Sequence, residues 1–315
     1  MRRIISLAAI GTLAIAAAAS TSSFAQQQSQ DNSGSSIVGQ ILDRILGPAP
    51  SPTPTPTPTS TAAPWQAQTL SQALADPRRG NDWQRDQYRH PTQTLAFFRV
   101  EPGMRVVDYM PNGWWYTRIL VPYLGRNGSY IGMNPDVSGM TGYWEDTYSN
   151  VAGSLAAEHD KWAGPGDASV SGFNAQSYPE SHDGTVDRVL ILREVHNMFR
   201  YDWMHHDLAI VRRMLKPDGL VGVIEHRAKA DAPYERTDGN KGYMLEEDVI
   251  ALFSAYGFDL VARSEINDNP RDPTTWENGV WELPPTLMRA TDATRAKRLS
   301  VGESDRMTLL FRKRD

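Results

Sequence analysis

Two histidines and two acids stand directly after apolar segments of the chain. Glu194 and His196 follow "VDRVLIL", and Glu225 and His226 follow "GLVGVI". An imidazole titrates near neutral pH, so a histidine in a cleft can take a proton from a substrate oxygen or nitrogen. A metal site from His196, His226 and Glu194 is conceivable, but no ligand-pair spacing supports it. Each group can instead satisfy a neighbour, although the converging set favours a site.

The elements that must position these side chains alternate between strands and helices. The apolar strand segments are "MRVVDYM", "GSYIGMN", "ASVSGFN", "VDRVLILREV", "GLVGVIEHR", "FDLVARSEI" and "RMTLLFRKR". This alternation predicts an α/β, Rossmann-like, doubly wound fold with a mostly parallel seven-stranded sheet and an antiparallel edge strand. No helix of clear period separates the last two strands, so we expect them to pair antiparallel. Ligands of such sheets bind at the carboxyl ends of the strands.

The stretch "MRVVDYMPNGWWYTRIL" passes from the first strand into a helix at that edge. A turn that opens a helix offers free backbone N–H groups to a ligand. Because asparagine and glycine tolerate left-handed backbone, Asn112 and Gly113 can form the turn. Trp114 and Trp115 either lie against a cationic or purine ligand or pack between helix and sheet. The bulk of Trp114 counts against a dinucleotide, whose turn requires a glycine there.

These segments resemble the class I S-adenosylmethionine-dependent methyltransferases. The matching segments are "FFRVEPGMRVVDYMPNGWWYTRILVPYLG", "VDRVLILREVHN", "LKPDGLVGVIEHRA", "YGFDLVARSEI" and "DRMTLLFRK", spread over roughly residues 69 to 315. More narrowly, the chain resembles a bacterial group of predicted exported methyltransferases with a degenerate glycine motif. The resemblance implies S-adenosylmethionine as the cofactor and a small molecule or another, unidentified group as the methyl acceptor.

The resemblance also assigns roles to individual residues. It places the cofactor over Asp108, Met110, Pro111, Asn112, Gly113, Asn134, Asn174 and Arg193. It places the acceptor beside three candidate catalytic residues, His196, Glu194 and His226. No metal is expected among these groups.

The sequence departs from the usual motif of that family, which has an acid followed by Gly-x-Gly-x-Gly. Aligned on the first strand, the glycine positions hold Met110, Asn112 and Trp114. Asn134 and Asn174 stand where the family has acids at the ends of the second and third strands. An amide can still accept a hydrogen bond, but it lacks the charge that strengthens one. We therefore expect a weakened cofactor site.

Composition excludes several other classes of protein. The 315 residues carry a net charge of -5, which argues against a nucleic-acid-binding protein because phosphate binding needs a basic surface. The chain contains no cysteine. Disulfides, thiolate-bound zinc and thiol nucleophiles are therefore excluded.

The first 64 residues read as an export signal and a tail. Arg2, Arg3 and the apolar run "IISLAAIGTLAIAAAA" predict a signal peptide over 1–25, cleaved after Ala25. Residues 26–64 combine a polar tract, the amphipathic "SIVGQILDRILG" and a Pro/Thr-rich spacer. The amphipathic segment is either a docking helix for an envelope partner or a transient helix. We expect the domain over 65–315 to be periplasmic, without a membrane span after the signal is removed.

Three functions remain open from the sequence. The first is an S-adenosylmethionine-dependent methyltransferase of the cell envelope. The second is a non-catalytic relative of the same fold that binds another small ligand or a partner. The third is a metal-dependent enzyme that uses the His/Glu cluster. A long connection near the end carries Trp276 and Trp281, which either cover a substrate or cap the sheet edge.

Overall fold

A computed structural model describes residues 69–315. One seven-stranded sheet is built from β1 (Arg105–Tyr109), β2 (Ser129–Asn134), β3 (Ser169–Asn174), β4 (Val186–Leu192), β5 (Leu215–His226), β6 (Phe258–Ser264) and β7 (Arg306–Lys313). The predicted signal peptide, tail and spacer lie outside the described residues, as do residues 65–68 of the predicted domain. Over the described part, the Rossmann-like α/β fold is confirmed.

Eleven α-helices accompany the sheet in this part of the chain, three of them before β1 and eight in the connections between strands. They are α1 (Leu70–Leu74), α2 (Asp86–Arg89), α3 (Pro91–Phe97), α4 (Thr117–Leu124), α5 (Tyr143–Tyr148), α6 (Val151–His159), α7 (Val195–Arg200), α8 (Met204–Met214), α9 (Tyr234–Thr237), α10 (Glu246–Ala255) and α11 (Asp292–Val301). Among residues 69–315, no helix has the length and apolar character needed to cross a bilayer.

The sheet is covered on both faces. Val189, Leu190 and Ile191 are successive residues of β4, and each is fully buried. Successive side chains of a strand point to opposite faces of the sheet, so a run without exposed positions requires cover on both sides. The near-continuous apolar runs of the sequence therefore correspond to central strands.

The strands are arranged in the order β3-β2-β1-β4-β5-β7-β6. Strands β1 to β5 pair in parallel, whereas β7 pairs antiparallel with both β5 and β6. The predicted antiparallel pair is thus present, with the antiparallel strand one position in from the edge. The order reverses between β1 and β4, where the carboxyl ends of neighbouring strands leave a crevice for a ligand.

The helix before the last strand was not expected from the sequence. Helix α11 lies in the connection between β6 and β7, and a capping box of Thr291 and Thr294 starts it. Its sequence "DATRAKRLSV" buries two side chains, Arg298 and Val301. An almost wholly polar helix has no apolar stripe of helical period, so the periodicity gave no signal.

The packing of α3 against the centre of the sheet predicts a steric test. A Cβ atom at Gly222 of β5 would lie 2.6 Å from Cγ of the buried Phe98. We expect Gly222→Ala to destabilise the protein by about 1–3 kcal/mol through overpacking. Urea unfolding measures the loss. In the double variant with Phe98→Leu, we expect the loss of unfolding free energy to be smaller than the sum of the losses in the two single variants. An unchanged unfolding midpoint for Gly222→Ala alone would contradict this packing.

Candidate functional site

A cavity of about 690 Å³ opens at the carboxyl edge of the sheet, beside the point where the strand order reverses. Its wall includes six of the predicted site residues: Asn112, Gly113, Arg193, Glu194, His196 and His226. Asp108, Met110, Pro111, Asn134 and Asn174 are not part of the wall. The structure therefore brings the predicted catalytic residues together and divides the predicted cofactor residues into two groups.

The loop after β1 has a left-handed backbone at three positions. Gly113 has φ 68°, and the non-glycine residues Met110 and Trp114 have φ 52° and 60°. Met110 and Trp114 occupy two of the positions where the resemblance expects glycine. Left-handed backbone costs a non-glycine residue roughly 1–2 kcal/mol, and such residues cluster at functional sites. The loop thus adopts a glycine-type conformation at positions that carry large side chains.

Asp108 lies beneath this loop. Its carboxylate accepts a hydrogen bond of 2.7 Å from the hydroxyl of Tyr130, which also lies 2.8 Å from Oγ1 of Thr117 in α4. Burial raises the pKa of Asp108 to about 7, although the Tyr130 hydrogen bond and the charge of Arg193 oppose the rise. Asp108 does not line the cavity, and its contact with the cofactor stays a prediction. Its carboxyl instead joins β1 to β2.

The predicted cofactor residues Asn134 and Asn174 also have another role in the structure. Their side-chain amides donate hydrogen bonds of 2.9 and 2.6 Å to the main-chain carbonyl of Tyr148, at the end of α5. The hydroxyl of Tyr148 in turn accepts a 2.8 Å hydrogen bond from Asn112. An ionised acid cannot donate to a carbonyl. Amides at these two positions therefore have a structural role, because their N–H groups hold α5 over the ends of β2 and β3.

Helix α5 gives the cavity an aromatic wall that was not predicted from the sequence. Tyr143, Trp144 and Tyr148 all line it. The ring of Trp144 packs 4.6 Å from that of Tyr201 and 5.2 Å from that of Tyr148, centroid to centroid. The available signal was the cluster of aromatic residues in "GYWEDTYSN", within the connection between the second and third strands.

His196 is held in one orientation by Glu225. Its Nδ1 lies 3.0 Å from Oε1 of Glu225, and its main-chain N–H donates to Oε2 at 3.1 Å. Since a carboxylate only accepts, Nδ1 carries the proton and Nε2 keeps the lone pair. His196 is 3% exposed and lines the cavity. It can therefore accept a proton from a bound molecule, and Glu225 stabilises the resulting imidazolium.

His226 and Glu194 complete this end of the cavity. Nδ1 of His226 lies 2.5 Å from Oγ of Ser304. Burial, followed by the charges of His196 and Arg193, lowers the pKa of His226 well below its usual value, so this ring is neutral near pH 7. Burial raises the pKa of Glu194 to about 7, despite the opposing charge of His196 and a hydrogen bond from Asn197. Glu194 can thus hold or release a proton near neutral pH.

The same histidines belong to a group that could hold a metal ion. Ligand atoms of His196, Glu225 and His226 lie within 4.8 Å of one another, so the acid of the group is Glu225 rather than Glu194. However, the two oxygens of Glu225 already accept three hydrogen bonds, including one from the main chain of His226. Arginine charges beside His226 also disfavour a cation. The geometry favours a histidine positioned by a carboxylate.

The four tryptophans with predicted roles divide between packing and the cavity. Trp115 is buried, with the guanidinium groups of Arg79 and Arg89 over its ring at 5.4 and 4.8 Å. Trp114 and Trp276 do not line the cavity, whereas Trp281 does, 6.0 Å from the ring of His196 between centroids. Of the two tryptophans in the long connection before the last strand, Trp281 therefore contributes to the site.

Comparison with known proteins returns similarities to solved structures. No family model and no curated protein sequence matches the chain. A SAM-dependent methyltransferase from Aquifex aeolicus is 17% identical, with 64% of this chain and 94% of that one covered, at a TM-score of 0.43. The Burkholderia thailandensis 1,6-didemethyltoxoflavin-N1-methyltransferase, with bound 1,6-didemethyltoxoflavin and S-adenosylhomocysteine, is 14% identical (83% and 94% covered, TM-score 0.42). The [4+2]-cyclase SpnF is 17% identical (78% and 93% covered, TM-score 0.45).

The raised pKa of Asp108 predicts a pH-dependent stability. The folded protein retains this proton up to about pH 7, whereas the unfolded chain releases it near 3.8, so stability falls as pH rises between these values. Asp108→Asn cannot ionise and keeps an acceptor for Tyr130. From pH 5 to pH 8 we expect the variant to gain on the wild type by on the order of 2–3 kcal/mol in the free energy of unfolding.

Urea unfolding at the two pH values measures this gain. The control Asp218→Asn removes an exposed carboxyl near the start of β5 and should leave the pH dependence of the wild type. Equal pH dependence of Asp108→Asn and the wild type would show that Asp108 is ionised throughout the range.

Proposed function

We propose that the protein is an S-adenosylmethionine-dependent methyltransferase. The left-handed backbone of the loop after β1 carries the proposal: Met110 and Trp114 adopt it without being glycine. A strained loop conformation persists where the surrounding structure holds it in place, and such strain is typical of ligand sites. The loop opens onto a cavity that also contains a positioned base, His196.

The cavity wall offers groups of the kinds that this cofactor needs. Its volume of about 690 Å³ lies within the usual range for small-molecule sites. Asn112 and Gly113 would hold the cofactor at the loop, and the aromatic side chains of α5 offer faces to a purine. The aromatic rings and the carboxyl of Glu194 can stabilise a cation.

The chemistry divides between the cofactor and the protein. When bound, S-adenosylmethionine supplies a methyl group on a positively charged sulfur, which leaves as a thioether. Nε2 of His196 accepts the proton that the acceptor oxygen or nitrogen loses as its bond to the methyl carbon forms. Glu225 stabilises the imidazolium, and the ring of Trp281 packs beside His196. Methyl transfer depends mainly on positioning, so this small set of groups is sufficient.

We also propose the cell envelope, and the periplasm in particular, as the place of action. The pattern of residues 1–25 and the absence of cysteine support this location. The Pro/Thr-rich segment would act as a spacer between the domain and an envelope partner of the tail.

One observation favours a second candidate, a non-catalytic binding protein of the same fold. At the ends of β2 and β3, where the resemblance expects acids that hold the cofactor, Asn134 and Asn174 bind the chain's own Tyr148. A protein that has filled this part of the cavity would bind another small ligand or a partner. Direct measurement of cofactor binding separates the two candidates.

Titration calorimetry of the full-length protein with S-adenosylmethionine and then S-adenosylhomocysteine tests the proposal. We expect micromolar binding of both. A β-branched residue does not tolerate the φ of 68° at Gly113, so Gly113→Val should distort the loop and weaken binding at least tenfold.

Gly184→Val is the matched control for that variant. Gly184 has φ 64° and, like Gly113, would place an added Cβ more than 4 Å from any neighbouring atom, but it lies before β4 at the opposite edge of the sheet. The strain is therefore similar, and binding should stay as in the wild type. Absence of heat from folded wild-type protein would refute the methyltransferase proposal and favour the binding protein.

A further inference from the structure

Four arginines surround a single buried carboxylate beside the cavity. Nε of Arg85 and Nε of Arg89 lie 2.7 and 3.0 Å from the carboxylate oxygens of Glu303, and Nη1 of Arg306 lies 2.9 Å from them. Arg193 follows β4 and lines the cavity with Arg85. We call Arg85, Arg89, Arg193 and Arg306 the arginine cluster.

Positive charges outnumber negative charges in the arginine cluster. Burial raises the pKa of Glu303, but the four arginines outweigh it and hold that pKa well below its usual value. Burial and then repulsion from Arg193 lower the pKa of Arg89. Guanidinium groups nevertheless stay protonated in proteins. The single negative charge of Glu303 is therefore shared among the four guanidinium cations of the arginine cluster.

Several donors of the arginine cluster have no partner among the described residues. Nη2 of Arg89 and Nε of Arg306 are buried without a hydrogen-bond acceptor, and both side chains are about nine-tenths buried or more. The side chain of Arg193 forms no hydrogen bond or ion pair within residues 69–315, although it faces the cavity. Buried cations without partners are destabilising unless an anion compensates them.

The neighbouring acids do not supply this compensation. Burial raises the pKa values of Asp108 and Glu194 to about 7, so both carboxyls are partly protonated near neutral pH. The carboxylate of Glu225 is occupied by His196. The guanidinium groups thus outnumber the ionised carboxylates, and a positive potential remains at the cavity wall where Arg193 and Arg85 stand.

We propose that Arg193 and Arg85 bind the acid group, carboxylate or phosphate, of the methyl acceptor. The acceptor is then a small organic acid or phosphate ester whose nucleophilic oxygen or nitrogen faces His196. Arginine suits this role because its planar fork matches both acid groups. The assignment to the acceptor rests on the proposed methyltransferase function, whereas the anion site itself does not.

The anion also has a predicted effect on the cofactor. A positively charged cavity disfavours a ligand with a cationic sulfur, and a bound anion removes this penalty. The two ligands should therefore bind cooperatively, each raising the affinity for the other by the same factor.

Titration calorimetry of the full-length protein with inorganic phosphate and with benzoate tests the anion site. We expect binding of at least one probe by the wild type, and a tenfold or greater loss in Arg193→Gln. Arg193→Lys should keep part of the affinity because it keeps the charge. Arg263→Gln removes an exposed arginine of β6 that pairs with Glu246, and it should bind like the wild type. No binding by the wild type, or equal binding by Arg193→Gln, would overturn the site.

A second arm identifies the source of the acid group, since the cofactor carries a carboxylate of its own. S-adenosylmethionine is compared with 5′-methylthioadenosine, which lacks that carboxylate. If Arg193→Gln weakens only the former, Arg193 holds the cofactor and the assignment to the acceptor is wrong. Unchanged binding of 5′-methylthioadenosine and unchanged or tighter binding of S-adenosylmethionine, together with lost phosphate or benzoate binding, support the acceptor.

The two proposals fail in different ways. If the wild type binds phosphate or benzoate but neither adenosine compound, the methyltransferase proposal fails, the assignment to an acceptor fails with it, and the anion site stands. If the adenosine compounds bind and no anion does, the anion site fails and the methyltransferase proposal stands.

Discussion

The ion pairs of Glu303 are the interaction on which the rest of the site depends. This carboxylate joins Arg85 and Arg89, which precede the first strand, to Arg306 in β7. Arg89 and Glu303 are 214 residues apart, so this contact brings a segment before the first strand and a segment before the last strand together beside the cavity. Loss of Glu303 would leave the buried cations of Arg89 and Arg306 and the half-buried Arg85 without their shared partner, which is far more costly than loss of a surface pair. The same ion pairs therefore form part of the site and join segments that are far apart in the sequence.

Much of the fold could be predicted because the strands carry their own signal. Residues such as Val189 to Ile191 are apolar without interruption since both faces of the sheet are covered. The position of β7 between β5 and β6 could not be read in the same way, because pairing partners are not encoded in the period of a strand. Helix α11 was missed for the opposite reason, since its side chains face solvent along most of its length.

Site residues could be predicted where they lie at the ends of strands. Those that come from segments far apart in the sequence could not be predicted. His196 follows β4 and His226 ends β5, so the rule for parallel sheets placed them together correctly. Arg85 lies in a segment that precedes every strand, and no local pattern links it to Glu303. The loop after β1 shows a third case: Met110 and Trp114 adopt a left-handed backbone that side chains of their kind normally avoid.

The hydrogen bonds to the carbonyl of Tyr148 limit which substitutions this part of the site tolerates. Asn134 and Asn174 act there as donors, so an acid at either position would place negative charge against a carbonyl oxygen. Replacement of either asparagine by aspartate would therefore weaken the attachment of α5. The amide pair and the aromatic helix depend on each other, so the two positions tolerate acids only if the contact with Tyr148 changes as well.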